Sequence, residues 1–156
     1  MIQRVQSVYL LLVTVLMSFL LIRPYAEITV AKDQVLTMRS HAIKIDTGHN
    51  ASTVYKTTVP VVALVLITAL LSFGSIFFYN RRIVQLRLCL INSILLIALL
   101  IIMFIYYSST NGSLTTIHHT FKIPAIFPFM SIIFHLMAYR AIHHDELLVN
   151  SYNRIR

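Results

Sequence analysis

His135 is the ionisable side chain set deepest within an apolar stretch of this 156-residue chain. It heads a line of polar residues sharing one helical face. At 100° per residue, His135, Tyr139, His143 and Glu146 fall within about 80° of one another. Two imidazoles, a phenol and a carboxylate on one stripe could hold a metal, hydrogen-bond a quinone or lipid, or pass protons, and an ionisable group inside a membrane span is a functional suspect. The plainer alternative is a neutral histidine bonded to a neighbouring helix, followed by an ordinary interfacial helix end. That alternative is favoured, because no other residue at the depth of His135 completes a reactive set.

The remaining candidates weaken on inspection. His118-His119 and His143-His144 lie at opposite ends of the last apolar stretch, so they cannot share an ion. Adjacent histidines on a helix also point about 100° apart, and neither pair has a third ligand at a convincing spacing. Two-histidine haem ligation needs a second imidazole at the level of His135, and the sequence offers none. Cys89 is the sole cysteine and sits in an apolar run. It can form neither an internal disulfide nor a CxxC centre, and reads as a small packing residue. The three glycines, Gly48, Gly74 and Gly112, are too scattered for a phosphate-cradling loop. No carboxylate lies within a span and no internal repeat is visible, which argues against a standalone transporter. The expectation is a protein that is not an enzyme and carries no cofactor.

The elements that position these residues are four apolar stretches, at about 5–22, 59–79, 86–107 and 123–139. A hydrocarbon core of about 30 Å needs about 20 apolar residues as helix, since backbone groups in lipid must satisfy one another. With 58% hydrophobic and 12% charged residues, against about 25% charged in soluble domains, the chain reads as one integral membrane domain. The predicted fold is an all-α membrane protein: a four-transmembrane-helix bundle with a small extracytoplasmic β-meander between helices 1 and 2. The first stretch is read as a retained helix rather than a cleaved signal, because no small-x-small site precedes Ala26.

Charge sets the orientation. Arg4, Arg81, Arg82, Arg87, Arg140, Arg154 and Arg156 gather on the side of the termini, opposed there by Asp145 and Glu146. The positive-inside bias therefore places both termini, the 80–85 connection and the 140–156 tail in the cytoplasm, and loops 23–58 and 108–122 outside. The net charge of +8 is met by lipid headgroups rather than nucleic acid, since no basic run is interleaved with aromatics. Asn50-Ala-Ser and Asn111-Gly-Ser match a glycosylation triplet, which has meaning only in a eukaryotic secretory pathway.

Three pairs of small polar residues, Thr14 and Ser18, Thr68 and Ser72, and Cys89 and Ser93, are each four apart and should face the bundle interior. The fourth stretch is the weakest, and Pro128 should kink it. In the large loop Ile28, Val30, Leu36, Met38, Ile43 and Ile45 are spaced as in short strands, with a turn at Lys32-Asp33 and a flexible end at Gly48. Two or three strands with six apolar side chains cannot stand alone, so they must lean on the bundle or on a partner protein.

The chain's two ends are its most distinctive segments. Residues 1–11, MIQRVQSVYLL, and 145–156, DELLVNSYNRIR, resemble the ends of a family of small four-span bacterial inner-membrane proteins catalogued only as a domain of unknown function. The span layout is similar throughout. The resemblance implies a bacterial cytoplasmic membrane and no established activity, and it draws attention to the cytoplasmic mouth. There Gln3, Arg4 and Gln6 are expected to lie beside Asp145, Glu146 and Arg154, with Arg4 pairing with Asp145 or Glu146 to close the bundle, the alternative being separate solvation among headgroups. The resulting expectation is a non-enzymatic accessory or assembly subunit, contacting a membrane-protein partner or a second copy of itself. A lipid or quinone site on the fourth helix is the runner-up.

Overall fold

Long aliphatic runs without interior proline form the helices, and the threonine-rich segments between them form strands. The structure, a computed structural model, describes residues 3–30, 34–47, 51–78, 81–112 and 116–154. In chain order these give α1 (Gln3–Ile22), β1 (Ala26–Val30), β2 (Gln34–Met38), β3 (Ala42–Thr47), β4 (Ala51–Thr57), α2 (Val59–Phe77), α3 (Arg82–Gly112), β5 (Thr116–Phe121), a 3-10 turn (Ile123–Ile126) and α4 (Phe127–Arg154). Successive helices run antiparallel. Each packs on its two neighbours in the ring α1, α2, α3, α4.

Three segments, Val59–Phe77, Ile83–Thr110 and Ile123–Asp145, are long and apolar enough to cross a bilayer, and Gln6–Ile22 is a shorter apolar helix. The fourth segment outlasts its expected end because α4 continues unbroken through Ala141 and Ile142. Large apolar side chains such as Leu70, Phe77, Ile94, Phe104 and Phe129 project from the outward faces of these helices. So large an exposed apolar surface suits lipid rather than water.

Buried residues recur at alternating steps of three and four along every helix. The lines are Gln6, Leu10, Val13, Met17 and Leu20 on α1; Val61, Val65, Thr68, Ser72 and Ser75 on α2; Gln85, Cys89, Asn92, Leu96, Leu99 and Met103 on α3; and Ser131, His135, Ala138, Ile142 and Asp145 on α4. This is the seam of a bundle whose helices cross at shallow angles. Thr68, Ser72 and Cys89 face inward as expected. Thr14 and Ser93 are only half-buried and Ser18 is exposed. Their hydroxyls turn back to the carbonyls four residues earlier, Leu10, Cys89 and Thr14 respectively, which satisfies them without a neighbouring helix.

Pro128 does not kink a continuous helix. The chain enters this segment as a 3-10 turn and changes to α-helix at Phe127, so Pro128 falls in the first turn of α4, where its missing N–H has no partner to lose.

The strand region is larger than a meander of two or three strands. Five antiparallel strands pair in the order β4-β3-β2-β1-β5, and β5 comes from the connection between α3 and α4. β4 and β5 lack apolar alternation because they are the edges. Residues 53–57 and 118–121 are exposed on both faces and held chiefly by backbone pairing. Register shifts set Tyr55 on β4 and Ile117 on β5 as extra residues. Bulges of this kind twist an edge away from indiscriminate pairing. The expected turn at Lys32-Asp33 and the end at Gly48 lie outside the described residues.

The sheet sits on its own bundle. Ile28, Leu36, Met38 and Ile43 share one core with Met17, Leu20, Val61, Leu99 and Met103. Full burial of such side chains stabilises by about 1.5 to 3 kcal/mol each. Hydroxyls fasten the seam. Ser40, between β2 and β3, donates to the Leu20 carbonyl at 3.1 Å, satisfying a group the end of α1 leaves open, and Thr58, before α2, donates to the Ser40 carbonyl at 2.7 Å.

Candidate functional site

The inward lines bring three polar side chains together at mid-depth, one each from α2, α3 and α4. Asn92 Nδ2 lies 2.7 Å from Ser72 Oγ, 2.9 Å from His135 Nε2 and 3.2 Å from the Thr68 carbonyl. His135 Nδ1 lies 3.2 Å from the Ser131 carbonyl, which can only accept, so Nδ1 carries the proton and Nε2 receives one from Asn92. His135 is thereby neutral, with both ring nitrogens engaged. Turning the Asn92 amide over would set its oxygen against the Thr68 carbonyl, acceptor to acceptor, so the amide orientation follows from the network.

The network is not fully matched. Asn92 has two N–H groups for three acceptors, and among the described residues neither Asn92 Oδ1 nor Ser131 Oγ has a partner, although these residues are 1% and 0% exposed. An unmatched buried polar atom carries a desolvation cost of about 1 to 3 kcal/mol. The centre therefore ties three helices together at one level and one register, and it does so at some expense in stability.

Below it, away from the sheet, Leu10, Cys89, Ala138 and Ile142 form an apolar layer. A second polar contact follows, where Gln6 Nε2 donates to Asp145 Oδ2 at 2.5 Å between α1 and α4. Both residues are buried, and so is Gln85 on α3 at the same end. Thus Asp145 does meet the start of α1, through Gln6. The side chains of Arg4 and Glu146, expected to pair there, lie outside the described residues.

Of the anticipated stripe on α4, His135 is buried, Tyr139 is half-buried and His143 is exposed. The rings of Tyr139 and His143 stack at 6.1 Å toward the end of the helix far from the sheet, away from the polar centre. The inward line passes through Ala138 and Ile142 instead, because 3.6 residues per turn carry positions 139 and 143 off the seam. His118 and His119 are exposed on the β5 edge, the latter against Tyr107. Among the described residues no three His, Cys, Asp or Glu side chains converge as a metal set.

Asn92 is the participant that the search for reactive groups passes over. Its signal was legible, a lone amide inside the most aliphatic run of the chain, seven residues after Gln85 and therefore on its face.

A ring of antiparallel apolar helices, a packed interior with a polar tie, and a sheet over one end define a small multi-pass helical membrane protein. The chain belongs to the family described as domain of unknown function DUF4293, whose pattern it matches over residues 2–155. Among curated proteins, none matches it.

Proposed function

We propose that this protein is a non-enzymatic accessory or assembly subunit of a membrane complex, resident in the bacterial inner membrane with both termini cytoplasmic and the sheet outside. The observation that carries the reading is the state of His135. This imidazole, at mid-depth, has both ring nitrogens engaged, one of them to the amide that ties α2, α3 and α4 together. What remains available for work is surface, and the polar outer face of the sheet, with Thr37, Lys44 and Glu27 in adjacent register, is its most structured part. The partner is another membrane protein or a second copy of this chain. The cluster of arginines around the termini supports the orientation.

A rival site for a lipid or quinone on His135 and Tyr139 is disfavoured by that engagement and by the half-buried, displaced position of Tyr139. Gentle extraction from native membranes followed by quantitative mass spectrometry tests the choice. A stoichiometric protein partner is expected, lost when Thr37→Arg alters the sheet face and kept in His135→Ala. Isolation without partner or second copy, with a lipophile that His135→Ala releases, would overturn it.

A further inference from the structure

A groove of about 480 Å³ opens where α1, the sheet and the start of α4 meet, lined by Phe19, Arg23, Glu27, Lys122, Ile123 and Phe127 with two prolines. Its lining changes character along its length. Phe19 and Ile123 are exposed and apolar and belong to the ends of two apolar helical segments, while Arg23 and Lys122 stand immediately beyond those ends. The groove therefore straddles the level at which hydrocarbon gives way to headgroups.

Its charge is positive. Lys122 Nζ is held 2.9 Å from Glu27 Oε2, with the backbone N–H of Lys122 fixed to the Tyr25 carbonyl at 3.0 Å, so this ammonium is positioned rather than loose. Among the described residues Arg23 has no carboxylate partner. Two cations against one carboxylate leave a net single positive charge at the polar mouth. A guanidinium can give two parallel N–H groups to one phosphate, and an unneutralised cation at headgroup level attracts an anionic headgroup by simple electrostatics.

We propose that this groove is a binding site for an anionic membrane phospholipid, whose phosphate sits between Arg23 and Lys122 while the first part of an acyl chain lies on Phe19, Ile123 and Phe127. It rests on the membrane placement of the helices and not on any protein partner. The volume accommodates a headgroup and part of one chain, with the rest of the lipid in the bilayer.

The test is native mass spectrometry of the intact protein released from nanodiscs of equal phosphatidylglycerol and phosphatidylcholine. Retained phosphatidylglycerol is expected to exceed phosphatidylcholine. Arg23→Gln should weaken its retention about five-fold, Lys122→Gln by a similar or smaller factor because Glu27 already shares its charge. Arg140→Gln, an exposed cation on α4 far from the groove, should leave the preference intact. Inorganic phosphate at the same concentration should not displace the lipid. Equal retention of both lipids, a preference that survives the Arg23→Gln/Lys122→Gln double variant, an equal effect of Arg140→Gln, or displacement by phosphate alone would each overturn the assignment. Circular dichroism of the double variant, expected to be unchanged because Arg23 is exposed and Lys122 only half-buried, separates lost binding from lost fold.

Discussion

Replacing Asn92 with alanine removes the side chain that joins α3 to both α2 and α4. Three acceptors lie within 3.2 Å of its amide nitrogen, but only two N–H groups are available, so at most two full hydrogen bonds are lost. Interhelical bonds within membranes average about 0.6 kcal/mol and reach about 1.7, which sets the loss at roughly 1 to 3 kcal/mol. His135 Nε2 is then a buried acceptor with no donor. His135→Ala should cost a similar amount, since it forfeits the same contact together with the bond to Ser131. Because one hydrogen bond is counted in both single variants, the double variant should fall short of their sum by about 0.5 to 1.5 kcal/mol. Unfolding in bicelles, driven by added sodium dodecyl sulfate or by steric trapping, gives the four free energies of the cycle. Additivity within about 0.3 kcal/mol would refute the claim that these two residues are directly bonded.

Other perturbations have equally definite outcomes. Ser40→Ala withdraws a buried donor from the end of α1 and should cost about 1 to 2 kcal/mol, with faster amide exchange confined to the last turn of α1 and the β2–β3 junction. Gln6→Ala takes a donor from the buried Asp145 carboxylate and should cost about 1 to 3 kcal/mol, read in the same unfolding assay. The Tyr25 hydroxyl is buried without a partner among the described residues, so Tyr25→Phe should leave stability unchanged or raise it by up to about 2 kcal/mol. Burial, and secondarily Tyr106, pushes the Tyr25 phenol up to about 12 from 10. The folded state thus holds this proton more tightly than the unfolded one, so the Tyr25 contribution is constant below pH 10 and is lost as pH rises from 10 to 12. The difference between wild type and Tyr25→Phe should follow that window and vanish as a pH-dependent quantity below it.

The helices were legible because lipid imposes a simple length rule on apolar runs, and successive crossings must alternate in direction. The inward faces were legible only in part. Thr68 and Ser72 were correctly placed and Ser18 was not, because a hydroxyl can bond back along its helix whichever way it faces: Thr68 to the Val65 carbonyl while buried, Ser18 to the Thr14 carbonyl while exposed. The central strands announced themselves through Ile28, Leu36, Met38 and Ile43, whereas β4 and β5 did not, since an edge strand held by backbone pairing needs no apolar alternation. His135 was recognisable as a buried histidine bonded across the bundle, but its partner was not, because an asparagine draws no attention in a search for titratable groups. The Gln6–Asp145 contact joins residues 139 apart in sequence; no local pattern announces it, and only the resemblance of the two chain ends set Gln6 beside Asp145.

Four crossings of the bilayer, with the sheet outside, form the premise on which the rest depends, and α1 is the crossing with the least length in reserve. Single cysteines introduced at Gln3, Thr37, Arg81 and Arg140, with the buried Cys89 as the internal control, can be probed with a membrane-impermeant maleimide on intact spheroplasts. Labelling of Thr37→Cys alone before permeabilisation, and of the other three only afterwards, is the predicted result. Labelling of Gln3→Cys and Thr37→Cys from the same side would mean that α1 does not cross, and would contradict the account.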